Sequence, residues 1–184
     1  MALGKKLNTT FRKFIEAQPM FFVATAARVG RVNVSPKGMD TLRILDDRRI
    51  VWLSLSGSGN ETAAHLLDKP RMTLMFCSFT EKPLILRVYG TARAIHPRDA
   101  EWPDLLALFP ALAGSRQIYD LTIESVQTSC GSGVPTMTVG EQRGNEELEP
   151  FYAEMGEDGV RDYWQRKNVH SIDGLETGIF ASDG

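Results

Sequence analysis

Between residues 20 and 127 the apolar positions of this chain recur mostly with a period of two, and helical spacing shows only in a few short stretches. Residues 8–18 carry Phe11, Phe14 and Ile15 at helical spacing, which predicts a short amphipathic helix stopping before Pro19. MFFVATAARVGRVNVSP then reads as a hairpin turning near Val29-Gly30. A third strand, MDTLRIL, puts Asp40 and Leu42 on one face and Thr41 and Arg43 on the other. After a turn at Asp46-Asp47-Arg48, IVWLSLS forms a fourth strand that feeds a Gly/Ser turn and a helix opening at Asn60. That helix ends at Lys69, because a proline follows.

RMTLMFCSF continues the series, and LILRVYGTARAI alternates with Leu84, Leu86, Val88, Ala92 and Ala94 on its core face. HPRDAEWPDLLALFP predicts a helix beginning at Pro97, ended by Pro110, that turns Trp102, Leu105, Leu106 and Phe109 inward. In RQIYDLTIESVQT, the residues Ile118, Leu121, Ile123 and Val126 can share the inner face if a bulge shifts the phase. Six or seven strands joined by tight turns, with few helices between, argue for a mainly β antiparallel barrel rather than a parallel α/β sheet. From Ser129 the chain becomes Gly-rich and irregular, and a helical stretch from about Glu149 to Arg166 ends in YWQRKNVHSIDGLETG. Its large aromatics, Tyr163 and Trp164, suit docking onto another surface such as a partner subunit.

Composition narrows the class. A chain of 184 residues fits one domain, and 21 Lys+Arg against 23 Asp+Glu leave no broad basic footprint for nucleic acid. No apolar run reaches signal-peptide or membrane-spanning length, so the chain reads as cytoplasmic, without a membrane partner. Cys77 and Cys130 are too few for a disulfide scaffold, and His65, His96 and His170 lack metal-ligand spacing, so no metal is expected.

The candidate chemistry centres on SGSGNET. Gly57 and Gly59 let backbone N–H groups turn toward a ligand, and Asn60 can cap a helix whose first amides lack partners, as in an anion cradle. The stretch lacks the third glycine of a dinucleotide fingerprint and the Lys-Ser/Thr of a P-loop. Glu61 would repel a phosphate, so positive charge must come from elsewhere, with Lys37 and Arg43 as candidates. There is no GxSxG elbow, Cys130 has no visible base, and His65 sits inside a helix at AAHLL, where a packing or cap role outweighs acid-base work. The absence of a self-contained catalytic set, together with Trp52 and Trp164, points to a phosphorylated aromatic cofactor that brings the chemistry.

The order hairpin, VNVSPKG, strand, IVWLSLSGSGNET-helix, KPRMTLMF, LILRVYGTARAI resembles the pyridoxamine 5'-phosphate oxidase-like FMN-binding split-barrel family over about residues 8–127. The resemblance implies a six-stranded Greek-key split barrel in a single domain, with residues 128–184 completing the site or the dimer. It also implies a homodimer holding FMN at the interface and hydride transfer at flavin N5. By resemblance the cofactor-binding set is Ser35, Lys37, Gly38, Arg43, Trp52, Leu53, Gly59, Asn60, Glu61 and Thr62, with Trp164, Lys167 and Asn168 from the tail. Glu61-Thr62 stands where pyridoxamine phosphate oxidases carry a basic pair, and the tail matches their substrate motif only loosely. A flavin- or haem-carrying module and an F420-dependent reductase therefore stand beside the FMN enzyme as alternatives.

Overall fold

The computed structural model describes residues 3–180. In chain order these form β1 (Leu3–Gly4), α1 (Thr9–Glu16), β2 (Phe21–Thr25), β3 (Asn33–Lys37), β4 (Leu42–Ile44) and β5 (Arg49–Leu55). Then come α2 (Glu61–Asp68), β6 (Arg71–Cys77), β7 (Ile85–Ile95), α3 (Trp102–Leu106), β8 (Ser115–Ser129), a π-helical turn (Gly144–Leu148) and α4 (Glu149–Lys167). Every strand pairing is antiparallel, and one curled sheet runs in the order β3-β2-β6-β7-β8-β5-β4, with β1 beside β8. The mainly β split-barrel architecture is as expected. The sheet has two strands more than the expected six, because the β2–β3 hairpin and β4 all join it and the amino-terminal β1 adds to β8.

The curl encloses the main core, in which Phe21, Val23, Trp52, Leu74, Phe76, Val88 and Leu121 are nearly inaccessible to solvent. α1 is capped by the Asn8 side chain, which accepts from the Phe11 N–H at 2.8 Å, and it lays Ile15 over this core. On the outer face Val51, Leu53, Ile95 and Ile118 pack under Trp102, Leu105 and Phe109. β5 is thus covered on both faces, which explains its unbroken apolar run.

Two expectations need correction. α3 begins at Trp102 rather than at Pro97, because Asp99 accepts the His96 N–H at 2.7 Å and holds the intervening residues in turns. Ile118 faces the outer cluster, whereas Leu121, Ile123 and Val126 face the interior. The anticipated bulge is present. Tyr89 pairs with Ser125 and Gly90 with Ile123, so Glu124 is the extra residue that restores the inward phase.

The tail folds back on its own barrel. α4 breaks at Gly156, whose φ of 68° is left-handed, and beyond it Asn168, Thr177 and Ile179 are buried. Arg98 anchors the end by donating to the carbonyls of Gly178 and Ile179, each at 2.7 Å. No helix of the described residues is long and apolar enough to cross a membrane.

Candidate functional site

A cavity of about 370 Å³ lies where the inward-facing residues of β3 meet the end of β5, the 56–60 turn, the start of α2 and the head of β8. Strand alternation supplies one wall: Asn33, Ser35 and Lys37 face the cavity, while Val32 and Val34 on the other side of the chain are exposed. The Trp52 and Tyr119 rings stack with centroids 4.5 Å apart at its floor, and the Lys37 ammonium sits 5.5 Å from the Trp52 ring centre.

The decisive residue is Arg116. In the β5–β8 ladder Ser54 pairs with Gln117 but Leu55 with Ser115, which leaves Arg116 as the bulged residue between them. A bulge re-aims a side chain, and here it turns the guanidinium into the cavity. Arg116 is only 4% exposed, yet its partners are all neutral: the Gly59 carbonyl at 2.9 Å, Asn168 Oδ1 at 2.8 Å and Ser54 Oγ at 3.3 Å. Its Nε has no partner at all, and neither does the Trp52 Nε1 beside it.

Among the described residues neither Arg116 nor Lys37 forms an ion pair. Burial, and then repulsion from Arg116, push the Lys37 ammonium down to about 8. Burial likewise pulls Arg116 below its usual value. A buried guanidinium and a half-buried ammonium, neither paired with a carboxylate, face one cavity and make a site for an anion.

Glu61 lines the cavity too, but it is paired with neither cation. Its carboxylate turns to the tail and accepts the Ile172 N–H with both oxygens, at 3.0 and 3.1 Å. Asn60 is not a side-chain cap either. Buried to 2% exposure, it donates to the Asn168 carbonyl and accepts from the Tyr119 hydroxyl, each at 3.4 Å. Gly57 and Gly59 have no left-handed φ, and a Cβ at Gly57 would meet nothing within 4 Å. Their contribution is open space rather than special backbone.

Of the expected site residues, Ser35, Lys37, Trp52, Gly59, Asn60, Glu61 and Thr62 line the cavity. Trp164 and Asn168 reach its rim from the tail of the same chain: the Trp164 indole donates to Ser56 Oγ at 2.7 Å and Asn168 donates to the Gly57 carbonyl at 2.9 Å. Four residues lie elsewhere. Arg43 is neutralised by Asp40 through two bonds of 2.6 and 2.8 Å, donates to the Leu108 carbonyl and stacks over Phe109. Leu53 points into the outer cluster, Gly38 lines a separate hollow beside Met137 and accepts from Thr41, and Lys167 is exposed. A larger hollow of about 1050 Å³, next to α1 and β4, holds Arg43 but also Glu16, Asp40 and Glu149, so it does not share the cradle's character.

Arg116 was missed because nothing in RQIYD marks one residue as bulged. The available signal was an arginine at the head of a strand, following Gly114-Ser115.

The family model described as pyridoxamine 5'-phosphate oxidase matches residues 7–130. The chain is 32% identical over 188 residues to the Aspergillus flavus pyridoxamine 5'-phosphate oxidase family protein ustO, covering 93% of this chain and 75% of that one. In fold it is similar to a candidate pyridoxamine 5'-phosphate oxidase of Lactobacillus delbrueckii, with TM-score 0.54 and 22% identity over 67% of this chain and 99% of that one. HupZ of Group A Streptococcus gives the same TM-score at 18% identity, over 71% of this chain and 99% of its own.

Proposed function

The chain belongs to the pyridoxamine 5'-phosphate oxidase family, and from that premise we propose that it is an FMN-dependent oxidoreductase whose cradle takes the phosphate of the cofactor. The observation that carries this reading is a pair of cations, the buried Arg116 and the half-buried Lys37, that share one cavity and are paired with no carboxylate. A phosphate monoester supplies the missing negative charge to the Arg116 guanidinium and the Lys37 ammonium. Arg116 thereby takes the part of the basic pair that Glu61-Thr62 does not provide.

FMN, when bound, supplies hydride transfer. The chain's own residues do the holding. Arg116 and Lys37 neutralise the phosphate, Asn33 and Ser35 add polar contacts on the β3 wall, and Gly57 and Gly59 leave room for it. Trp52 and Tyr119 close the floor against water, being 1% and 0% exposed.

The same family reading makes the working unit a homodimer in which a second copy covers the open side of the cradle. Supporting it, β3 is a free sheet edge with Val32 and Val34 exposed directly behind the cavity-facing Asn33, Ser35 and Lys37. Haem is disfavoured on the cradle's composition. No histidine of the described residues lines it; His65 packs against Thr25, His96 is buried beside Gln117, and His170 pairs with Glu176.

The test is an absorbance spectrum of the purified protein, followed by titration with FMN. Flavin bands at about one FMN per chain support the reading, and reduction by NADH or NADPH with reoxidation in air then separates an enzyme from a carrier. A colourless protein that ignores FMN ends it.

A further inference from the structure

Asn168 was expected among the cofactor's own contacts, yet its surroundings assign it another task. It has no exposed surface, and each of its polar groups is used within the chain. Oδ1 accepts from Arg116 Nη1 at 2.8 Å, Nδ2 donates to the Gly57 carbonyl at 2.9 Å, and the main-chain carbonyl accepts from Thr177 Oγ1 at 2.6 Å. The side chain therefore bridges the two halves of the cradle, the bulged cation of β8 and the Gly/Ser turn, and ties both to the tail.

The choice of amide matters. An aspartate has nearly the same shape and would give Arg116 the carboxylate that a buried guanidinium ordinarily has. An amide oxygen orients the fork through one hydrogen bond but leaves its charge uncancelled. With Arg116 nine-tenths buried, its Nε unpartnered and no carboxylate among its partners, that uncancelled charge is the strongest attraction the cavity holds for an anion.

We propose that Asn168 is the positioning residue that sets the site's selectivity for a phosphorylated ligand over its dephospho form: it aims Arg116 into the cradle while leaving the guanidinium charge to the ligand. This rests on the FMN reading for the identity of the ligand, but the logic needs only a phosphate. The tail is then part of the anion site within its own chain. Trp164, one helical turn before Asn168, fastens the same rim through Ser56.

The experiment compares FMN with riboflavin, which differ only by the phosphate, as ligands of the parent, Asn168→Asp, Asn168→Ala and Arg116→Gln, with a thermal melt to confirm that each variant folds. In the parent FMN binds more tightly than riboflavin by about tenfold or more, the worth of a charge-assisted hydrogen bond. Asn168→Asp reduces that preference to near unity while riboflavin affinity changes little. In the Arg116→Gln background the preference is already lost, and adding Asn168→Asp changes nothing further. A role confined to structure would weaken both flavins alike and keep their ratio, and that result overturns the proposal. Should Asn168→Asp fail to fold, Asn168→Ala decides by the same ratio.

If the parent binds neither flavin, the FMN reading fails on its own, and inorganic phosphate becomes the probe. A phosphate-induced rise in melting temperature, measured against chloride at equal ionic strength, that is present in the parent and absent in Asn168→Asp sustains the proposal. A parent that does not respond to phosphate overturns it.

Discussion

The cradle's behaviour is set by two side chains whose charge is expensive to bury, and the sign of their response to pH follows. The free Lys37 ammonium titrates at about 8 because desolvation, and then Arg116, disfavour its charged form. A phosphate monoester is close to a dianion at and above neutral pH, so the ligand's charge is steady there while the lysine's is not. FMN affinity is expected to hold below about 8 and to weaken above it, by up to about tenfold per pH unit. Flavin fluorescence titrations across that range check this, and Lys37→Met is expected to bind more weakly and to lose the pH dependence. The space left at Gly57 gives a second residue-scale prediction. A Cβ there meets no protein atom within 4 Å, so Gly57→Leu should leave the melting temperature nearly unchanged while raising the Kd for FMN several-fold. Equal affinity in the variant would show that the ligand does not enter at this turn.

Among the elements, the strands place the site through their irregularities. β8 is fifteen residues long and carries two bulges, one opposite β5 that turns Arg116 into the cavity and one opposite β7 that keeps Val126 in the core. The second depends on Gly90, where a Cβ would collide with the Thr122 carbonyl oxygen. Backbone cannot yield as a flexible side chain can. Gly90→Ala is therefore expected to destabilise the fold by about 1–3 kcal/mol, read from chemical denaturation. A variant as stable as the parent would mean that β7 and β8 do not approach as closely as described. α4 and the turns after it act as a strap, since Asn168, Trp164 and Ile172 reach the cradle from one continuous stretch of tail.

For the whole molecule, the question is what covers the free edge beside the cradle. β3 pairs with β2 on one side only, and Val29, Val32 and Val34 are exposed to 81%, 69% and 59%. Apolar residues on an unpaired strand invite association, and a lysine on such an edge opposes it. Sedimentation of the parent should give twice the 20.5 kDa of the chain, and Val32→Lys with Val34→Lys should give the monomer. If the dimer also completes the cofactor site, the monomeric variant should lose FMN affinity together with its partner. A parent that sediments as a monomer with FMN bound would leave the cradle in place and remove the shared-site reading.

The sequence by itself determined the features that depend on neighbours along the chain. Period-two alternation located the strands and the β2–β3 hairpin, helical spacing located α1, Pro70 ended α2, and the Gly/Ser turn after β5 marked the cradle. Lys37 could be named as a source of positive charge and Trp52 as an aromatic on β5, both also by the family resemblance, and both line the cavity. Only the tertiary structure decided what depends on register and on partners distant in sequence. Arg43 and Arg116 look alike in the chain, yet Asp40 neutralises the first, while a bulge carries the second into a cavity where it pairs with no carboxylate. Glu61 looked aimed at the anion, and only the fold shows that its carboxylate turns toward the Ile172 N–H, 111 residues away. The physical reason is the same in each case: a charge acts through its distance to other charges and its access to water, and folding sets both.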